Sequence, residues 1–545
     1  MKSLIPLLLF ATSLTLVGCN TYSKAKLRPI SKITATGEQK ALYQSIKGLN
    51  DHPRAQIGRY LDTANTARLQ LRGNPGNTLA RSDYNFAVSR IIEIIGREQL
   101  KPWKSALTCG SGEGTPWSLK IKPIDSNPDH SLDRYELRAA DRYDFKGKLV
   151  GERITKEGLG APLIAVAKHV NFKKVDIGTR GEGRLFYGLT AVMKINNRTC
   201  EIVLYDPLSK ENIPFDGHSY PLAADFQAPL ALALANLGMK KREISGMFKP
   251  TQHESSAKLA TLQPYSPDKI PVLFIHGLGN SPATWAPMFD YLRNDEAIRR
   301  RYQFWFFSYP TGVPFPTTAA QLRVQLKEMR QRYPGHKDIV IIGHSLGGNI
   351  TRLLVTDTGL KVWNQFYAKP PADIPFHPET RRVMSEALIF KAQPHIARVI
   401  FASASLGGSG VATSFIGKLG IKMIGNPLKE DALTEDALTY LRPEIRKEGK
   451  KHLPNSVEIL NPDSKFLQTI NSIPIKSGIP YHTLIGDQGK GGNLDHTEPV
   501  STDSIVPYWS SHLDGAVSEL VIPSKHWTIL HPQGMAEIKR ILKKY

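Results

Sequence analysis

Between residues 37 and 99 apolar side chains return every three to four positions, first as Ile57, Tyr60, Leu61 and Ala64, then as Ala87, Ile91, Ile92 and Ile95. That spacing predicts helices with one buried stripe each. From Trp117 to Pro207 the texture changes to short β-type runs at residues 118–121, 163–166, 191–195 and 201–205, divided by Gly, Asp and Asn. Helices followed by strands predict an α+β domain. Residues 249–268 are rich in Ser, Gln, Lys and Pro and have no period, the pattern of a linker. Beyond Pro271 the period alternates: strand-like runs at 272–275, 304–308, 339–342, 397–402, 482–485 and 520–522 are separated by helical patterns at 283–292, 318–332, 350–355 and 535–542. This alternation predicts a mostly parallel sheet flanked by helices. Two long intervals, 357–394 and 405–461, interrupt it and suit functional loops. Within the second, the echo Asp431-Ala432-Leu433-Thr434-Glu435 and Asp436-Ala437-Leu438-Thr439 is too short for a repeat and reads as a surface helix.

Composition adds a domain count. At 545 residues the chain exceeds the roughly 250–300 residues over which one core extends, and 41% apolar with 22% charged residues is globular. The predicted division is a leader at 1–18, an N-terminal α+β domain of unknown role at 19–248, a linker at 249–270 and a second domain at 271–545. The leader has Lys2 followed by an apolar run from Leu4 to Val17, too short to span a bilayer but suited to secretion. Its end, Leu16-Val17-Gly18-Cys19, resembles a bacterial lipobox, which implies cleavage before Cys19 and lipidation of its thiol; the alternative is a nearby cut with Cys19 incidental. Asn20, where an Asp would signal inner-membrane retention, points this reading to the outer membrane, with the chain lipid-anchored in the bacterial cell envelope and facing the periplasm or the exterior. Cys109 and Cys200 then remain as an even pair, either a disulfide or two buried thiols.

The formal charge of +22 lies in short clusters such as Lys173-Lys174, Lys240-Lys241-Arg242 and Arg446-Lys447. For an anchored, exported chain the matching anionic surface is lipid, and no zinc-finger spacing or homeodomain-like arm argues for nucleic acid. No His-Glu-x-x-His occurs and the cysteines do not group as ligands, so no metal is expected. Gly407-Gly408-Ser409-Gly410 lacks the Lys of a phosphate loop and reads as a turn above the sheet, so no cofactor is expected either.

The chemistry concentrates in Gly343-His344-Ser345-Leu346-Gly347. A bare Gly-x-Ser-x-Gly is weak, but this one follows the buried-type strand Ile339-Val340-Ile341-Ile342 and precedes the helix pattern Ile350-Thr351-Arg352-Leu353-Leu354. On such a sharp strand-to-helix turn the flanking glycines avoid clashes and the serine Oγ projects above the sheet. Earlier, the strand Leu273-Phe274-Ile275 runs into His276-Gly277-Leu278-Gly279. There the N–H of Leu278, with that of Leu346 after the serine, would form an oxyanion hole for the charge that develops in acyl transfer. His276 reads as a turn-structuring residue, because the base of this arrangement comes late in the chain.

These segments, together with Asn280-Ser281-Pro282-Ala283-Thr284-Trp285, resemble the bacterial lipase and esterase branch of the α/β-hydrolases over residues 271–545. The resemblance implies the α/β-hydrolase fold and a serine nucleophile, an acid and a histidine in that chain order. It places the base at His526 in Pro523-Ser524-Lys525-His526-Trp527, with His531 as the alternative; His395 and His482 read as structural. It places the acid at Asp503, because Asp503-Ser504-Ile505-Val506-Pro507 is similar to the family's Asp-x-x-Val-Pro turn; Asp487, at the end of a strand, competes. Asp495 and Asp514 read as solvated. The expected activity is hydrolysis of a lipid or other apolar acyl ester. An acyltransferase with the same triad, or an anchored binding or scaffold protein with an inactive hydrolase domain, are the alternatives. The oligomeric state has no signature.

Overall fold

The computed structural model describes residues 22–34, 36–47, 52–110, 114–122, 131–168, 186–236, 257–261, 265–411, 432–446, 454–488, 493 and 501–545. They fall into two compact units that divide at residues 238 and 239. Cys19, the leader, Lys173-Lys174, Lys240-Lys241-Arg242, His452, Asp495 and His496 lie outside the described residues.

The N-terminal unit begins with two long helices, α1 (Pro53–Gly73) and α2 (Thr78–Arg97). Pro53 opens α1, where its missing N–H costs nothing, and the Asn77 side chain caps α2 by accepting from Ala80 N. Their stripes, Ile57, Leu61 and Ala64 with Ala87, Ile91 and Ile92, are buried in one core with the sheet. That sheet has six strands: β1 (Leu107–Cys109), β2 (Trp117–Lys122), β3 (Tyr135–Ala139), β4 (Ala161–Ala167), β5 (Phe186–Asn196) and β6 (Thr199–Tyr205), in the order β1-β2-β6-β5-β4-β3. Tyr84 of α2 pins helix to sheet: its hydroxyl donates to Met193 O and accepts from Met193 N, each at 2.7 Å.

The sheet order rules out the expected candidate disulfide. Cys109 pairs with Trp117 and Cys200 with Leu119, so β2 lies between the two cysteines. Two strand spacings separate them by about 9.5 Å, beyond the roughly 7 Å that a bridge tolerates between Cα atoms. Both are free, buried thiols. Burial pushes Cys109 up to about 11 and Cys200 well above its ordinary value, which makes both poor nucleophiles.

The C-terminal unit is built on seven strands: β7 (Lys258–Thr261), β8 (Ile270–Ile275), β9 (Tyr302–Ser308), β10 (Ile339–His344), β11 (Ile396–Ala402), β12 (Tyr481–Gly486) and β13 (Ser518–Ile522). Their order is β7-β9-β8-β10-β11-β12-β13, with only the β7–β9 ladder antiparallel. Strands β8 and β10 are buried at every position, as expected for parallel strands covered on both faces. Helices α3 (Phe315–Arg332), α4 (Leu346–Leu354) and α6 (Pro532–Lys544) flank the sheet, and α5 (Pro378–Leu388) packs against α3.

Strand β7 corrects the reading of 249–270 as a linker. Lys258–Thr261 adds to the sheet edge along β9, and Gln325 of α3 fixes it by accepting from Leu259 N and donating to Ala257 O, both at 2.6 Å. The long intervals also carry structure. Helix α5 lies in the first and Ala432–Thr439, the echo segment, is a helix in the second. They meet where Asp436 accepts from His377 N at 2.7 Å and Tyr367 Oη donates to Ala437 O at 3.1 Å.

Candidate active site

Strand β10 ends at His344 and helix α4 starts at Leu346, so Ser345 is the whole of the turn. It adopts φ 54° and ψ −125°, a conformation that costs a side-chain-bearing residue about 1–3 kcal/mol and is retained where surrounding structure enforces it. The enforcing contacts are Ser345 N to Ala402 O at 3.0 Å on one side and Gly348 N to Ser345 O at 2.8 Å on the other. The glycines beside it have no room for a side chain: a Cβ on Gly343 would lie 2.5 Å from Gly347 O, and one on Gly347 2.7 Å from His276 O. The strained serine is half-buried at the C-terminal edge of the sheet.

The His276–Gly279 turn follows β8. His276 is buried, with its ring stacked on Tyr309 at 4.3 Å and its carbonyl accepting from Tyr309 Oη at 2.5 Å. Burial lowers its pKa to about 4, so it is a neutral structural ring, as its place in the chain predicts. Gly279 N donates to Thr311 Oγ1 at 3.1 Å and Asn280 N to Gly277 O at 3.3 Å, which shapes the turn. Among the described residues neither Leu278 N nor Leu346 N has an acceptor.

On the far side of the sheet, the loop after β13 carries His526 and the loop after β12 leads to Asp503. His526 Nδ1 meets Asp503 Oδ2 at 2.7 Å, and both side chains are buried. The other carboxylate oxygen accepts from Ile505 N at 2.8 Å and Val506 N at 2.7 Å. Burial alone would raise the Asp503 pKa. The facing imidazole and these N–H donors outweigh it and hold the carboxyl below its ordinary range. The Gly407–Gly410 turn buttresses this loop: Ser409 Oγ donates to Ile505 O at 2.5 Å, and Gly408 O accepts from Ser510 Oγ at 2.6 Å.

The competing residues have other partners. Asp487 accepts from Asn493 N at 3.2 Å. His531 caps α6 by accepting from Gln533 N at 3.3 Å. His395 pairs with Asp338 at the surface, while His482 contacts Arg398 and Ser518 and is lowered to about 4 by burial and by that arginine. Asp514 is exposed beside His512.

One site residue escaped the sequence reading. His344 entered only as the variable position of Gly-x-Ser-x-Gly, yet its buried ring reaches His526, with Nε2 2.9 Å from the His526 carbonyl oxygen and ring centroids 5.0 Å apart. The signal available was a polar residue closing an otherwise apolar buried strand. Through this contact the Asp503–His526 pair lies against the residue that precedes Ser345. Between the Ser345 hydroxyl and the His526 ring no hydrogen bond is closed among the described residues; nucleophile–base bonds are often long before substrate binds.

Residues 272–538 match the model of the alpha/beta hydrolase family. The C-terminal unit is an α/β-hydrolase domain. Solved structures similar to it include the mature lipase BlEst2 of Bacillus licheniformis, at 16% identity over 52% of this chain and 97% of that one, with a TM-score of 0.32. A lipase-esterase related protein from Clostridium acetobutylicum matches at 12% identity over 53% of this chain and 99% of its own, TM-score 0.28. An esterase of Pyrococcus furiosus matches at 15% over 51% and 82%, TM-score 0.28. No curated protein sequence matches the chain. Within the described residues of the hydrolase domain no cluster of His, Cys, Asp or Glu suits a metal ion.

Proposed function

We propose that the α/β-hydrolase domain is a serine carboxylic-ester hydrolase working through an acyl-enzyme. The observation that carries this reading is the buried 2.7 Å pair of Asp503 and His526, set against the residue before the strained Ser345. Asp503 accepts a hydrogen bond from Nδ1–H of His526, which leaves Nε2 as the base. Ser345 Oγ attacks the ester carbonyl as His526 takes its proton; the tetrahedral oxyanion accepts from the free N–H groups of Leu278 and Leu346. His526 then protonates the leaving alcohol and afterwards activates the water that releases the acid.

A lipid or other apolar acyl ester is the substrate class. Trp527, next to the base, and Trp509, after the acid loop, are exposed large apolar side chains at 38% and 44%. An anchor at Cys19 would bring the domain to a membrane of the bacterial envelope without a spanning helix; among the described residues no helix is long and apolar enough to cross one. Ser345→Ala is expected to abolish both hydrolysis of a p-nitrophenyl acyl ester and labelling by a fluorophosphonate probe while the protein stays folded. Undiminished turnover in that variant sinks the assignment. For the anchor, Cys19→Ser is expected to move the protein from the membrane to the soluble fraction.

A further inference from the structure

We propose that His344 is a positioning residue that ties the base to the nucleophile. This rests on the hydrolase reading above, in which Ser345 and His526 react together. They are 181 residues apart in the chain and leave the sheet from different strands, β10 and β13. A proton shuttle between such groups needs their separation fixed to within about half an ångström. Asp503 fixes the tilt of the His526 ring but does so from the acid loop, not from the elbow.

His344 supplies the missing link. It is the residue peptide-bonded to Ser345, and its Nε2 sits 2.9 Å from the His526 carbonyl oxygen. A carbonyl oxygen only accepts, so Nε2 carries the proton and the ring donates. Burial, reinforced by the neighbouring His526, lowers the His344 pKa to about 3, so the ring remains neutral and its single proton is committed to that bond. Nδ1 is therefore bare, and it is buried with no hydrogen-bond partner. A purely structural histidine at this depth would be expected to satisfy both nitrogens, because an unpaired buried one is destabilising. The ring cannot turn away to find a partner: it stacks on Trp527 at 5.4 Å and 22° and meets the edge of Trp285 at 6.3 Å and 87°. The base is thus held at two points, by its ring to Asp503 and by its backbone to the elbow. Thr528, two residues on, adds a third anchor through its 2.9 Å hydroxyl contact with Ser403 at the end of β11.

The test uses the full chain with His344→Phe, which keeps a ring between the two tryptophans but has no donor, and His344→Gln, which restores one. Expected in His344→Phe is a fall of about 10²-fold in kcat for a p-nitrophenyl ester with KM within twofold, because a misplaced base impairs the reaction more than binding. His344→Gln is expected to recover most of that loss. An independent readout is the low-field proton resonance of the His526–Asp503 hydrogen bond, assigned by its loss in His526→Asn. It is expected to broaden through solvent exchange in His344→Phe and to return in His344→Gln. Full kcat in the Phe variant, or a resonance that persists in it unchanged, overturns the proposal. If the wild-type protein hydrolyses no ester, the hydrolase reading fails, while the resonance still decides what His344 does.

Discussion

In the N-terminal sheet all ladders but β2–β6 are antiparallel, so successive turns fall at opposite edges; in the hydrolase sheet all ladders but β7–β9 are parallel, so from β8 onward the chain leaves the same edge after each strand. The difference decides where polar side chains gather. At the C-terminal edge of the parallel sheet, β8 delivers Leu278, β10 delivers Ser345 and β13 delivers His526, while the loop after β12 adds Asp503. Ligand sites of open parallel sheets lie outside these strand ends for the same topological reason. In the N-terminal unit, buried polar groups are instead consumed in pairs. Arg90, fully buried in α2, meets Asp141 at 2.5 Å and Glu93 at 3.0 Å, and Arg153 meets Asp225 at 2.7 Å. One unit uses its buried polarity to lock helices and turns; the other leaves N–H groups and a hydroxyl available.

The two carboxylates near the parallel edge are not interchangeable. Asp503→Asn is expected to lower kcat by about ten-thousand-fold, as loss of the orienting acid does in other triads, whereas Asp487→Asn changes it by no more than a few-fold. Equal losses in ester turnover would mean that the edge is not organised around the Asp503–His526 pair. In the N-terminal unit, Asp141→Ala removes the nearest partner of buried Arg90. With Glu93 still in place the expected cost is about 2 kcal/mol of stability, read from denaturant unfolding, with kcat unchanged. A large loss of turnover in Asp141→Ala would show that the N-terminal ion pairs serve the reaction as well as the fold.

A smaller effect concerns acid. His276, His344 and His482 are lowered to about 4, 3 and 4, chiefly by burial, from an ordinary 6.5. Unfolded, they take up protons below pH 6.5 that the folded protein refuses. Their contribution to stability is therefore complete above pH 6.5 and is lost as pH falls through 4. Unfolding free energy measured against pH should decline over that window, and His344→Phe should decline less steeply than wild type. Identical slopes would mean that the His344 ring binds no more protons unfolded than folded over this range.

Much of the hydrolase domain was legible because its signals are local. The elbow needs only a strand, two glycines and a helix around Ser345, and six strands of its sheet announce themselves as β-type, mostly apolar runs. Strand β7 did not: in Lys-Leu-Ala-Thr only Ala260 is deeply buried, so an edge strand reads as loop. Asp503 was preferred to Asp487 through its Val-Pro turn, and loop geometry brings Asp503 to His526, since both aspartates follow β12. His344 showed in the sequence only as a polar end to an apolar strand, for a related reason: its contact is with a carbonyl 182 residues away.

The cysteines show the same limit with the smallest expected effect. Two cysteines in a chain expected to be exported favour a bridge on redox grounds, and nothing in their spacing argues against it. What forbids it is register: β2 pairs on one side with β1 and on the other with β6, placing Trp117 and Leu119 between Cys109 and Cys200. With no cross-link to break, dithiothreitol should leave the melting temperature unchanged within about 1 °C. A bridge closing this loop would contribute about 4 kcal/mol, and its reduction would lower the melting temperature by several degrees. Thiol titration gives the complementary result: both cysteines should be silent towards a disulfide reagent in the folded protein, because burial raises their pKa values, and both should react once it is unfolded without any reductant. If they appear only after reduction, the β1-β2-β6 order is wrong.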